Sequence, residues 1–184
     1  QIKDIASKIS VGGRLGLRKN TDYRSHGFPA YSAAGKDGFV SQFEYDAEGV
    51  IISSIGARCG KCFYATGKWT TLANTQVILT NTEQCLSRFL WYVVNDELFW
   101  HRSGTAQPFI KPTDIRLSWI PLPSISEQRY LVSFLDRLYK PAFRHEHLAR
   151  LHRTLYRGLL QRLSDDMLGY ARERTVRLKE IAHL

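Results

Sequence analysis

Between Gly27 and Gly67 the apolar and aromatic positions come in short runs, broken at Ala34-Gly35, Asp37-Gly38, Glu48-Gly49 and Thr66-Gly67. Such runs, rich in β-branched and aromatic residues and bounded by Gly, Asn or Asp, predict strands joined by turns. Residues 51–54, 61–65 and 75–79 fit that pattern best. The period then changes. Thr80-Asn81-Thr82-Glu83 has the spacing of a capping box, and Leu86, Phe89, Leu90, Val93 and Val94 follow at helical intervals. A helix entered at Thr80 is therefore expected. Strand texture returns over residues 117–121, where Pro121 and Pro123 stop it.

From Ser124 onward the pattern is helical. Ser124-Ile125-Ser126-Glu127 is a second capping box, followed by Leu131, Phe134, Leu135 and Leu138. Pro141 should kink or break this helix. Beyond it Leu148, Leu151, Leu155, Leu159, Leu163 and Met167 form a stripe in steps of three and four, with Arg and His on the other faces. The stripe needs a cover, either a partner helix or the chain's own globular half. If residues 126–168 are mostly helical, they reach roughly 60 Å at 1.5 Å per residue, which suits a spacer or assembly arm. The reading divides the chain into residues 1–123, 124–170 and 171–184. Ile2-Lys3-Asp4-Ile5-Ala6 matches Leu178-Lys179-Glu180-Ile181-Ala182 in every physical class, as if a second similar module began there.

Charge narrows the function. The 184 residues carry 26 Lys and Arg against 17 Asp and Glu, a net +9, which favours an anionic partner, nucleic acid before a membrane surface. A hydrophobic fraction of 43% is that of a globular chain. No apolar run is long enough to span a bilayer, so no membrane role is expected. Gln1-Ile2-Lys3-Asp4 has neither an initiating Met nor an apolar signal core, as expected of a fragment or internal domain. Three cysteines are too few for a disulfide scaffold and suggest a reducing, cytoplasmic setting.

Chemistry is sparse. Arg58-Cys59-Gly60-Lys61-Cys62 resembles a dithiol or half of a zinc site. A redox pair would open a helix, however, and Phe63-Tyr64-Ala65 is strand-like; a zinc site would need further ligands that do not accompany it. Neither a nucleophile elbow, a phosphate-cradling loop nor a dinucleotide fingerprint is present. Catalytic residues, a metal and a cofactor are thus not expected. Candidate nucleic-acid contacts are better represented. Arg14, Lys19, Lys36, Arg58, Lys61, Lys68 and Arg102 fall in loops or turns, interleaved with Tyr31, Ser32, Ser54, Thr105 and Gln107. Cations serve phosphates, and Arg, Gln, Ser or Thr at loop tips serve base edges. Arg58 and Lys61 lead, because a glycine turn lets the backbone approach closely.

Four segments, in order along nearly the whole chain, carry a family resemblance. Residues 28–40 (FPAYSAAGKDGFV) look like an early motif of target recognition domains in the specificity subunit of Type I restriction-modification enzymes. Residues 49–61 (GVIISSIGARCGK) resemble that family's next strand and basic glycine turn, and 102–110 (RSGTAQPFI) its Ser-Gly-Thr-x-Gln loop. Residues 120–128 (IPLPSISEQ) match the signature that closes the recognition domain and opens the long helix.

The resemblance implies an α/β (α+β) recognition domain with a mixed, mostly antiparallel sheet, followed by a helical coiled-coil arm. It implies a non-catalytic component that reads one half of a bipartite double-stranded DNA target. Methyltransferase and restriction subunits would be its partners. A second recognition domain or a second copy would pair through the arm at Leu148, Leu151, Leu155, Leu159, Leu163 and Met167. Full subunits of the family usually carry two recognition domains, and this chain has one. Other readings stay open: the recognition domain of a single-chain Type II restriction-methylation enzyme, a dithiol or zinc protein using Cys59 and Cys62, or an assembly scaffold.

Overall fold

Two strands are buried on both faces and dictate the layering. Strand β5 (Gly49–Ser53) is buried at every position, and β8 (Thr75–Thr80) at all but Leu79. A strand without an exposed face must be covered on both sides. The computed structural model describes residues 1–142 and Gly158 and supplies both covers. β5 and β8 are the inner strands of a four-stranded antiparallel sheet of order β1-β8-β5-β6, with β1 at Ala6–Val11 and β6 at Cys62–Ala65. The second sheet has the order β3-β2-β7-β4: β3 is Gly35–Val40, β2 Phe28–Ser32, β7 Lys68–Thr71 and β4 Tyr45–Asp46. Only its β2–β7 pairing is parallel.

Strand alternation sorts the side chains. Ile51 and Val77 sit opposite each other and join Tyr45, Ala65 and Trp69 in the core between the sheets. The alternate residues of β5 and β6 face helix α3 (Ser87–Val94), whose Trp91 indole donates to the Cys62 carbonyl at 3.2 Å. Short helices complete the layers: α1 (Ile2–Ile5), α2 (Lys19–Asp22) and α4 (Pro112–Leu117), the first packed on the last through buried Ile2, Ile5 and Ile115. Residues Gln1–Ile120 with Ser124–Val132 form one compact unit, while Pro121–Pro123 and the chain from Ser133 belong to a second.

Three expectations need correction. Thr80 does not cap a helix; it ends β8, and its hydroxyl bonds the Ser87 hydroxyl at 2.8 Å. The residue that organises the next turn is Asn81, whose side chain accepts from Glu83 N–H at 3.1 Å, so α3 starts only at Ser87. Residues 117–121 are not a strand. Pro112 presets the first turn of α4, and the Ser118 hydroxyl donates to the Asp114 carbonyl at its end. Asp37-Gly38 is not a turn but lies within β3, where the Tyr23 ring covers Gly38 so closely that any Cβ would meet it at 2.5 Å.

The second capping box forms as expected. The Ser124 hydroxyl, and after it the Ser124 N–H at 2.8 Å, donate to the Glu127 carboxylate and hold that acid below its ordinary range, and helix α5 (Ile125–Ala142) follows. Pro141 stands one residue before its last described position, and the Leu148 to Met167 stripe lies outside the described residues. The start of α5 is keyed to the sheet unit by Gln128, which is fully buried. Its Oε1 accepts from Leu86 N–H and its Nε2 donates to the Gln84 carbonyl, each at 2.9 Å.

Replacing Gln128 with Ala removes the hydrogen bonds to the part-buried Leu86 N–H and Gln84 carbonyl, so we expect a loss of about 1–2 kcal/mol. Urea unfolding of Gln128→Ala, with exposed Arg129→Ala as control, checks this.

Candidate nucleic-acid interface

The same end of both sheets receives five connections, and backbone hydrogen bonds tie their bases together. After β1, Gly12 N–H donates to Thr75 O at 2.9 Å and Gly13 N–H to Thr71 O at 3.1 Å. The β2–β3 turn is joined to the β7–β8 turn by Leu72 N–H to Tyr31 O at 2.8 Å. The β5–β6 loop meets the β7–β8 turn through Ser54 N–H to Asn74 O, where Asn74 takes φ +63°. The loop preceding α4 closes the set, with Ile110 N–H donating to Ser54 O and Gly56 N–H to Pro108 O, each at 2.9 Å. Bonds of this kind need no particular side chains, so the bases are rigid while the tips are left to vary.

Most sequence-nominated residues stand on these connections. Arg14, Arg58, Lys61, Arg102, Thr105 and Gln107 are exposed, as is Lys36 just past the β2–β3 turn. Arg58 donates from Nη1 to the Ala34 carbonyl at 3.1 Å, which lays one loop against the next turn. Arg102 approaches Glu97 at 3.9 Å, and Lys36 sits 4.6 Å over the Phe39 ring. Tyr31 and Ser32 are half-buried at the end of β2; the Tyr31 ring meets Trp69 edge-on, and the Ser32 hydroxyl accepts from Ala34 N–H. Ser54 is buried and serves as the joint just described. Lys68 is set apart, at the opposite end of β7, paired with Asp46 across the strands and 4.9 Å over Phe43. Lys19 is committed to Asp37 at 2.8 Å.

The comparisons with known proteins follow this geometry. Residues 1–152 match the family model described as "Type I restriction modification DNA specificity domain". The chain belongs to this family. Solved structures with the same fold include the Type I restriction-modification S subunit from M. genitalium (14% identity, TM-score 0.58, 84% of this chain). Another is the HsdS subunit from Thermoanaerobacter tengcongensis (20% identity, TM-score 0.55, 90% of this chain). A third was described for complex assembly and conformational transition of the type I R-M system (19% identity, TM-score 0.59, 90% of this chain). This chain spans 42–44% of the length of those chains. No curated protein matches it.

In this specificity domain the Arg58–Cys62 stretch is a tight turn, closed by Cys59 N–H to Gly56 O and Lys61 N–H to Arg58 O. Gly60 has φ +97°, which favours glycine, and the Glu97 backbone lies only 3.1 Å from where a Cβ would stand. Both sulfurs point inward: Cys59 S–H toward Ser54 O at 3.5 Å and Cys62 S–H toward Val94 O at 3.3 Å. Burial pushes both thiols up, the reverse of what a redox nucleophile needs. Cys85 is likewise buried and pushed up to about 12. Among the described residues no group of three or more His, Cys, Asp or Glu is placed to hold a metal, and no helix is long and apolar enough to cross a membrane.

Sequence reasoning passed over Glu44 and the Ala34 carbonyl. Glu44 is one of three alternating acids with Asp46 and Glu48, and a backbone acceptor leaves no trace in sequence. Both hold cations of the interface.

Two measurements check these assignments. With all three cysteines buried, the native chain should react slowly with an aromatic disulfide reagent, and rapidly at every thiol once unfolded. The Lys19 ammonium, and after it the Tyr23 hydroxyl, hold Asp37 below the ordinary carboxylate range. A lowered carboxylate contributes stability that is present above its unfolded value near ~3.9 and is lost as pH falls through its folded value. Lys19→Met should therefore raise the Asp37 midpoint, read by carboxyl NMR titration, and bring acid unfolding to higher pH.

Proposed function

We propose that this specificity domain binds double-stranded DNA sequence-specifically through its loop end, as the S subunit, or half of it, of a Type I restriction-modification complex. The observation that carries the reading is the convergence of Arg14, Arg58, Lys61 and Arg102 on connections whose bases are locked to one another. Rigid bases hold a fixed spacing of cations to meet phosphates or base edges, and exposed Thr105 and Gln107 add donors and acceptors suited to base edges. The net +9 supplies the long-range attraction. Tyr31, Ser32 and Lys36 flank the same tips. Lys68 lies too far along β7 to share that surface and fits, at most, a flanking phosphate.

In this role the chain does no chemistry of its own. It directs methyltransferase and restriction subunits to one half of a bipartite target, and α5 begins the arm that sets the distance to the other half. That other half is a second recognition domain or a second copy, paired through the helical stripe.

Selection from a randomised duplex pool tests the reading. A defined motif should be enriched, and its affinity should fall steeply with salt, the log–log slope being about −0.9 per phosphate contacted. Arg58→Ala or Lys61→Ala should weaken binding more than Cys59→Ser does. Salt-independent binding, or no enriched duplex, would remove it.

A further inference from the structure

Arg14 differs from the other cations of the interface in how it is held. It stands on the connection after β1, 57% exposed, and its Nε lies 3.7 Å from Oε1 of Glu44, a side chain only 11% exposed. Glu44 is fixed by its own backbone, since its N–H donates to Trp69 O at 3.1 Å. Both carboxylate oxygens are shut off from solvent, and the polar groups that face them are the Tyr45 hydroxyl, itself 2.9 Å from the Ser10 hydroxyl, and the Arg14 guanidinium. A buried carboxylate is costly unless it is paired, and the Arg14 guanidinium supplies the opposite charge. The attraction acts on both partners and restrains the Arg14 side chain.

The direction of approach matters. Glu44 lies closest to Nε, and neither terminal nitrogen of Arg14 makes a hydrogen bond with a described residue. Arg58, by contrast, spends Nη1 on the Ala34 carbonyl, and Arg102 meets the half-exposed Glu97 through Nη1. A phosphate can be met by any cation that swings into place. Two-point contact with the O6 and N7 of guanine needs a fork held in plane, which Lys cannot supply.

We propose that Glu44 is a positioning residue that holds the Arg14 guanidinium for reading a guanine edge rather than a phosphate. The proposal rests on the DNA-binding reading above. Selection and affinity measurements on the intact chain, with Glu44→Gln, Arg14→Lys and Arg14→Ala, test it. Arg14→Lys and Glu44→Gln should each return the wild-type motif relaxed at one guanine. Each should lower the affinity ratio of enriched over scrambled duplex about tenfold, with the salt slope unchanged. Arg14→Ala placed on Glu44→Gln should cost little further discrimination.

Glu44→Gln lowering both affinities equally would mean a merely structural residue and overturn the proposal. So would an Arg14→Lys chain, folded at this exposed position, that keeps the ratio within twofold, or an Arg14→Ala chain whose slope falls by about one, the mark of a phosphate contact. If the wild type discriminates in any of these cases, only this proposal fails. If the wild type enriches no duplex, the DNA reading fails with it.

Discussion

Trp69 is the contact on which the rest of the molecule hangs. It is fully buried between the sheets, stacked on Tyr45 with ring centroids 4.4 Å apart, and its indole N–H donates to Ala47 O at 2.8 Å. An aromatic of this size removes about 150–250 Å² from water, on the order of 4–6 kcal/mol before entropy is counted. That anchorage fixes β7, and β7 governs its surroundings in three directions. It pairs with β2 on one side and β4 on the other, and the carbonyl of Thr71 receives the base of the Arg14 connection. The backbone that positions Glu44 is bonded to Trp69 itself. The geometry of the loop tips is thus inherited from an apolar core, not built by the polar residues that occupy them.

Toward the loop end that core changes character. Ile51 and Val77 give way along their strands to Ser53 and Thr75, beside Thr71. Ser53 Oγ and Thr71 Oγ1 are buried without a hydrogen-bond partner among the described residues, as is Gln76 Oε1. Such groups cost stability and are normally few. Here they sit next to the backbone junctions that tie the loop tips together.

Elements with local causes were legible in the sequence. The runs of β5 and β8 and the capping box at Ser124 need only near neighbours to form. Misreadings arose where two local signals competed: Thr80-x-x-Glu83 imitated a cap while Asn81 made the turn, and the proline at 112 outweighed the apolar texture after Leu117. The convergence of the five connections was not legible, because Gly12, Tyr31, Ser54, Asn74 and Ile110 meet through backbone groups that every residue possesses. The ordered family motifs pointed to those loops as candidates but were silent on how each cation is held. Only in the folded chain is Lys19 spoken for by Asp37, Ser54 a joint, and Lys68 at the far end of its strand.

Gln128 stands at the opposite pole from the tips. β8 carries the chain from Thr75, beside the tips, to Thr80, and from there it passes to the Gln84 and Leu86 backbone that the buried amide grips, a separation of about 20 Å. α1 and α4 gather at this same pole, with Ile2 N–H bonded to Ser118 O. Two sets of constraints therefore share one sheet without sharing residues. Mutations can accumulate at one pole while the other keeps its shape. Substitutions at the tips can change what those loops contact and leave untouched the buried amide on which the start of α5 is mounted.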